Sequence, residues 1–146
     1  MVDTGLPAAP QPQGLYAAAV VHGRLAISAG MTPREHGRLV VVGTVGDEVS
    51  VEVASAAAGL AAANALSAIA DSVGGIGNIS QCLRMTVYVA CRPGFTSLSA
   101  VADGASARLH DLLGERAMAA RSAIGVASLP SGAPIEVELM AAVSAS

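Results

Sequence analysis

Two periods of hydrophobic recurrence divide the chain. Between Ser50 and about Val73, apolar residues return every three or four positions, at Val53, Ala56, Leu60, Ala63, Leu66, Ala70 and Val73, the spacing of one helix face. Ser50 stands where an N-cap hydroxyl belongs and Gly74-Gly75 where a helix stops, so the pattern predicts a helix with Glu48, Glu52 and Ser55 on its wet side. Phe95, Leu98, Val101, Ala105, Leu109 and Leu112 predict a second helix, ended by Gly114. Elsewhere the period is two. Cys82 to Ala90 sets Leu83, Met85, Val87 and Val89 against Arg84, Thr86 and Tyr88, and Ile135, Val137 and Leu139 alternate with Glu136 and Glu138.

The remaining strands are read from composition and turns. Leu15 to His22 and Leu25 to Ser28 form an antiparallel pair about the Gly23-Arg24 turn, Ala29 to Pro33 closes tightly, and Arg34 to Gly37 is a charged loop. Arg38 to Val42 is a third strand, apolar on both faces, which calls for cover on both. The stretch from Ala120 to Ala141 opens with Arg121, turns at Leu129-Pro130-Ser131-Gly132-Ala133-Pro134 and returns as the Glu136/Glu138 strand, a hairpin-like unit holding an arginine and two carboxylates. The order is β-β-β-α-β-α-β-β. Two helices cover one face of such a sheet, so the other needs a partner, and homo-oligomerisation is the simplest supplier.

Composition sharpens this. At 146 residues the chain suits one domain, here residues 14–146, preceded by an extended arm over 1–13 carrying Pro7, Pro10 and Pro12. With 53% hydrophobic but only 2% aromatic residues, the core is built from small side chains that let helices and sheet approach closely. Cys82 and Cys91 flank one strand, beyond disulfide reach, and are expected as buried thiols. Polar interruptions at Ser55, Gly59, Asn64 and Ser67 argue against a membrane span, and Met1 to Gly5 lacks the basic and apolar regions of a signal peptide, which makes the cytoplasm the expected location. The net charge is −3, and all eight basic residues are arginines spread from Arg24 to Arg121 without a cluster. A nucleic-acid partner normally needs a basic stripe.

Few residues offer chemistry. His22, His36 and His110 show no ligand spacing, and no CxxC or HExxH is present, so neither metal nor cofactor is implied. Gly74-Gly75-Ile76-Gly77 lacks the Lys-Ser/Thr of a phosphate loop. Two readings of Arg121 stand: an ion-pair partner for Glu136 or Glu138, or a planar fork gripping a ligand carboxylate. Glu136 is either a solvent-facing strand residue or an acceptor for a water proton, and Glu138 fits the first description better. Tyr16 packs on a strand or borders a site.

The run Ala120-Arg121-Ser122, the Leu129-Pro130 turn, the Ile135-Glu136-Val137-Glu138 strand, Tyr16, the Ser28-Ala29-Gly30-Met31-Thr32-Pro33 turn and Thr86-Val87-Tyr88-Val89 together resemble the RidA family, also called YjgF, and its longer relatives best. The resemblance runs from about Gly14 to Val143. It implies a chorismate-mutase-like α+β fold of the bacillus type, with a mixed sheet of about six strands, two helices on one face, and a homotrimer with active sites in the clefts between subunits. It also implies cofactor-independent hydrolysis of reactive 2-imino acids to keto acid and ammonia. Arg121 would hold the substrate carboxylate, Glu136 would act with the site water, and Tyr16 would stand at the cleft mouth. Three positions depart from the family. Ala123 replaces a cysteine, Asp103 replaces an asparagine, and the serine of the turn aligns with Ala29, leaving Ser28 adjacent. Arg121 and Glu136 favour the hydrolase, whereas Ala123 and Asp103 favour a second class, a non-catalytic trimer that binds small carboxylates, or an enzyme repurposed for a biosynthetic intermediate. Some family members carry an endoribonuclease label, which the charge distribution here does not support.

Overall fold

A computed structural model describes residues 4–144. Its strands are β1 (Ala19–His22), β2 (Leu25–Ser28), β3 (Arg34–Glu35), β4 (Arg38–Leu39), β5 (Ile79–Ala90), β6 (Ala120–Val126) and β7 (Ile135–Val143), and its helices are α1 (Val51–Val73) and α2 (Leu98–Leu113). The fold is α+β, as expected. Its sheet has five strands in the order β1-β2-β7-β5-β6, and β3-β4 forms a separate two-stranded hairpin. The expected third strand therefore shrinks to Arg38–Leu39. Val40 and Val42 leave the ladder and are 51% and 59% exposed, because no strand of the sheet lies alongside to use them.

The C-terminal stretch is not a hairpin. β5 runs between β6 and β7, parallel to the first and antiparallel to the second. The turn with its prolines thus spans a strand rather than closing a two-strand ribbon, a path that sequence alternation cannot distinguish.

α1 starts where Ser50 accepts a hydrogen bond from the Val53 N–H at 3.2 Å, and it ends at Gly74 in the left-handed region, φ +87°, whose N–H donates to the Ala70 carbonyl. The expected apolar stripe is displaced. Val53 and Ala56 are exposed, whereas every residue from Ala61 to Ala70 is buried, because this half of the helix is surrounded by the sheet, α2 and the N-terminal segment. Its length and mean hydropathy of 1.6 would suit a bilayer, but 78% of that window is buried inside the fold, so its apolar surface is already used. The two helices meet at glycines: a Cβ on Gly104 would overlap the backbone carbonyl of Ser55.

A register shift between Cys82 and Arg84 breaks the alternation of β5. Leu83, expected inside, is consequently exposed, while Met85, Val87 and Val89 keep the helix-covered face. Cys82 is buried and Cys91 partly so, both as free thiols. Burial pushes the Cys82 thiol up to about 11.

Candidate functional site

The strand registers place Arg121 and Glu136 on opposite faces of the sheet. Arg121 pairs with Met85 and Met85 with Leu139, so Arg121 shares the face that α1 and α2 cover. Glu136 pairs with Tyr88 and Glu138 with Thr86, on the uncovered face. The expected pairing of Arg121 with a strand glutamate therefore does not occur within the chain. Its ion-pair partner is Asp103 on α2.

Three α2 side chains hold the Arg121 guanidinium. Nη1 donates to Asp103 Oδ1 and to Ser106 Oγ, and Nη2 donates to Ser99 Oγ, each at 2.9 Å. The Arg121 side chain is 21% exposed and that of Asp103 is 71% exposed. Of the five guanidinium N–H groups, the Nε–H and one Nη2–H have no partner among the described residues. β6 is an edge strand, so this charge sits at the rim of the sheet. Ala123, two residues on, pairs with Val87 and lends only backbone and a methyl group.

The second group lies over the turn after β2. Met31 and Val137 exchange backbone hydrogen bonds at 2.8 Å in both directions, which draws Gly30 under Glu136. A Cβ at Gly30 would stand 2.6 Å from Glu136 Cδ, so only glycine leaves the carboxylate its present place. Burial, and then the charge of Glu138, hold the Glu136 carboxyl above its ordinary range. The Tyr88 hydroxyl donates to Glu138 Oε1 at 2.7 Å, and this bond, with burial and the two neighbouring carboxylates, pushes its titration up. Arg84, on the same strand, donates to Ser122 Oγ.

Ser28 has a structural post. It is buried, its hydroxyl donates to the Ala29 carbonyl at 2.8 Å and accepts from the Leu139 N–H at 3.0 Å, tying β2 to β7. Tyr16 is exposed, and its hydroxyl accepts from the Gln13 N–H at 2.9 Å. The Ala29 N–H donates to the Ala18 carbonyl at 2.8 Å, so the segment carrying Tyr16 runs on beside the Gly30 turn. The structure thus brings Gly30 and Glu136 together, leaves Tyr16 two residues before the Ala18 that meets Ala29, and sets Arg121, Asp103 and Ala123 apart from them.

Sequence reading missed Ser99 and Ser106. Their signal was present: Ser99, Asp103 and Ser106 recur at i, i+4 and i+7, a polar stripe on an otherwise apolar-patterned helix. Tyr88 was seen as a strand residue without its carboxylate.

The family described as Endoribonuclease L-PSP matches residues 6–143. Protein TCP17 of Trypanosoma cruzi is 32% identical over 136 residues, spanning 92% of this chain and 85% of that protein. The crystal structure of Atu1372 from Agrobacterium tumefaciens, a protein described as having unknown function, is 33% identical with a TM-score of 0.89, covering 95% of this chain and 86% of that one. The YjgF gene product of E. coli shares the fold at 23% identity and a TM-score of 0.65, covering 96% and 94%.

Proposed function

This chain belongs to the L-PSP endoribonuclease family, the group that includes YjgF and RidA, and on that premise we propose that it hydrolyses small 2-imino acids at clefts between copies of itself. The observation that carries the reading is the held guanidinium. Ser99, Asp103 and Ser106 fix Arg121 while two N–H groups stay without a partner, and two N–H groups are what a bidentate carboxylate takes. Prior fixation lowers the ordering cost of binding.

In this reaction a water oxygen adds to the C=N carbon as one of its protons passes to the nitrogen, giving a carbon that bears both a hydroxyl and an amine. The hydroxyl proton then passes to the nitrogen as the C=O bond forms, the C–N bond breaks and ammonia leaves. Glu136 takes each proton in turn from the oxygen and hands it to the nitrogen. A carboxyl held above its usual range suits both transfers better than a fully solvated one. Since Glu136 and Arg121 of one chain face opposite ways, the site requires Arg121 from one copy and Glu136, with Gly30 and Tyr16, from the next. A homotrimer meets that need. The exposed apolar side chains Val20, Leu25, Ile27 and Ile124 on the sheet support burial of this face between copies.

Ala123 and Asp103 favour the competing reading, a trimer that binds small carboxylates without hydrolysing anything. Asp103 already neutralises part of the Arg121 charge, and Ala123 supplies no thiol. RNA cleavage is not part of the proposal: the charge of −3 and the dispersed arginines give phosphates little to bind.

The deciding experiment generates imino acids in place with an amino-acid oxidase and follows ammonia release. Faster release with the wild-type protein, lost in Arg121→Ala, supports the hydrolase. No acceleration with any imino acid, together with keto-acid binding that depends on Arg121, supports the binding module. Light scattering that finds a folded monomer removes the shared cleft on which both depend.

A further inference from the structure

A cavity of about 440 Å³ lies between the proline-bearing N-terminal segment and the β3–β4 hairpin, and neither Arg121 nor Glu136 lines it. Pro7 to Pro10 form one wall, Arg34 to Gly37 the other, and Asn64 from the middle of α1 reaches it from below. Asn64 is 3% exposed. Its Nδ2 donates to the carbonyls of Thr32 at 3.1 Å and Arg34 at 3.0 Å, and two carbonyl acceptors fix which way the amide faces. Oδ1 is left with no donor among the described residues, although no polar side-chain atom there is both fully buried and unpartnered. The Asn64 oxygen is therefore reached through the cavity.

An acceptor so enclosed loses free energy unless a donor meets it. The rim adds further acceptors beside the His36 ring and the Gln11 amide. Glu35 brings a carboxylate, and Gln13 spends its Nε2 on the Gln11 carbonyl, leaving its oxygen. Arg34, the cation on this wall, is turned to Thr32 Oγ1, the Gly37 carbonyl and Ser131 Oγ. The proline wall is pinned as well, since Ser67 Oγ, one turn beyond Asn64, donates to the Pro7 carbonyl at 2.7 Å.

We propose that this cavity is a second binding site, for a small primary ammonium compound with a short aliphatic stem. The ammonium donates to Asn64 Oδ1 and balances the Glu35 charge, and the stem lies against Pro7 to Pro10. The volume falls within the roughly 300–1,000 Å³ of small-molecule sites. The proposal does not depend on imine hydrolysis.

The test is an NMR titration of the folded protein with 1-butylammonium and, in parallel, with tetramethylammonium, which has the same charge and no N–H. Butylammonium should shift the Asn64 side-chain amide and the His36 and Gly37 backbone amides saturably, while tetramethylammonium leaves the Asn64 amide in place. Glu35→Gln should weaken binding by about tenfold, in line with a lost charge-assisted bond, and Ala9→Leu, which fills the cavity, should abolish it. Neither variant removes an Asn64 bond, so both keep the hairpin anchored. The proposal is overturned by no saturable shift at millimolar butylammonium, by equal responses to the two cations, or by unchanged binding in both variants.

Discussion

The two faces of the sheet handle charge in opposite ways. On the covered face Arg121 is held by side chains that α2 provides, and an aspartate and two serines share it. On the open face Glu136 forms no ion pair among the described residues and lies beside Glu138 and the Tyr88 ring, and burial, then the Glu138 charge, push its carboxyl upward. The covered side is a finished structure and the open side an unfinished one. A site that needs both residues is complete only when the open side of one copy is closed by the rim of another.

Four substitutions press on this difference. The largest effect belongs to the covered face: Gly104→Ala pushes a methyl group into the Ser55 carbonyl, and because backbone must move, a stability loss of about 1–3 kcal/mol or more is expected in a chemical denaturation curve. An unchanged midpoint would mean that the helices are not packed this closely. Next, Arg121→Lys keeps the charge but cannot serve three anchors and a carboxylate together. Losing one charge-assisted hydrogen bond, worth roughly 1.5–3 kcal/mol, should lower kcat/KM for imino acids by about tenfold to a hundredfold, whereas equal kinetics would detach Arg121 from the site.

Gly30→Ala comes third. The methyl group displaces only the end of the flexible Glu136 side chain, so the melting temperature should hold while the hydrolysis rate falls by about tenfold or more. Parallel loss of both would reassign Gly30 to folding. The smallest effect is that of Glu136→Gln on thermal stability. A carboxyl raised by folding lends stability below its unfolded value, near pH 4, and loses it as pH rises through the folded one. The amide resembles the protonated form, so the variant should melt slightly higher than wild type at pH 7, with the gap closing below about pH 4. A variant that melts lower at pH 7 would show the carboxylate paired with a cation from a neighbouring copy.

Much of the fold was legible because its cues are local. The Ser50 cap, the Gly74 stop and the alternation of β7 each depend on a few adjacent residues. The β5–β6–β7 arrangement was not, because a strand slipped between two others leaves no mark on the alternation of either neighbour. Leu83 misled for a related reason: a bulge adds one residue to the count and reverses the face of what precedes it. The family resemblance named Arg121 and Glu136 individually. Their placement on opposite faces depends on register across β5, which exists only once the sheet is assembled. Val53 and Ala56 fell outside because the stripe of α1 was sought on one side, while the helix is enclosed on several.

The position of β7 also bears on how the molecule comes into being. It is late in the sequence yet central in the sheet, between β2 and β5. The β1–β2 pair, made early in synthesis, has no further strand to pair with until more than a hundred residues have followed, as the pairing of Ile27 with Met140 shows. Such distant closure is slow relative to local contacts. While the chain is still growing from a ribosome, β2 and β5 are both unsheathed edges, and a nascent chain cut short before Ile135 would present them to any other strand it met.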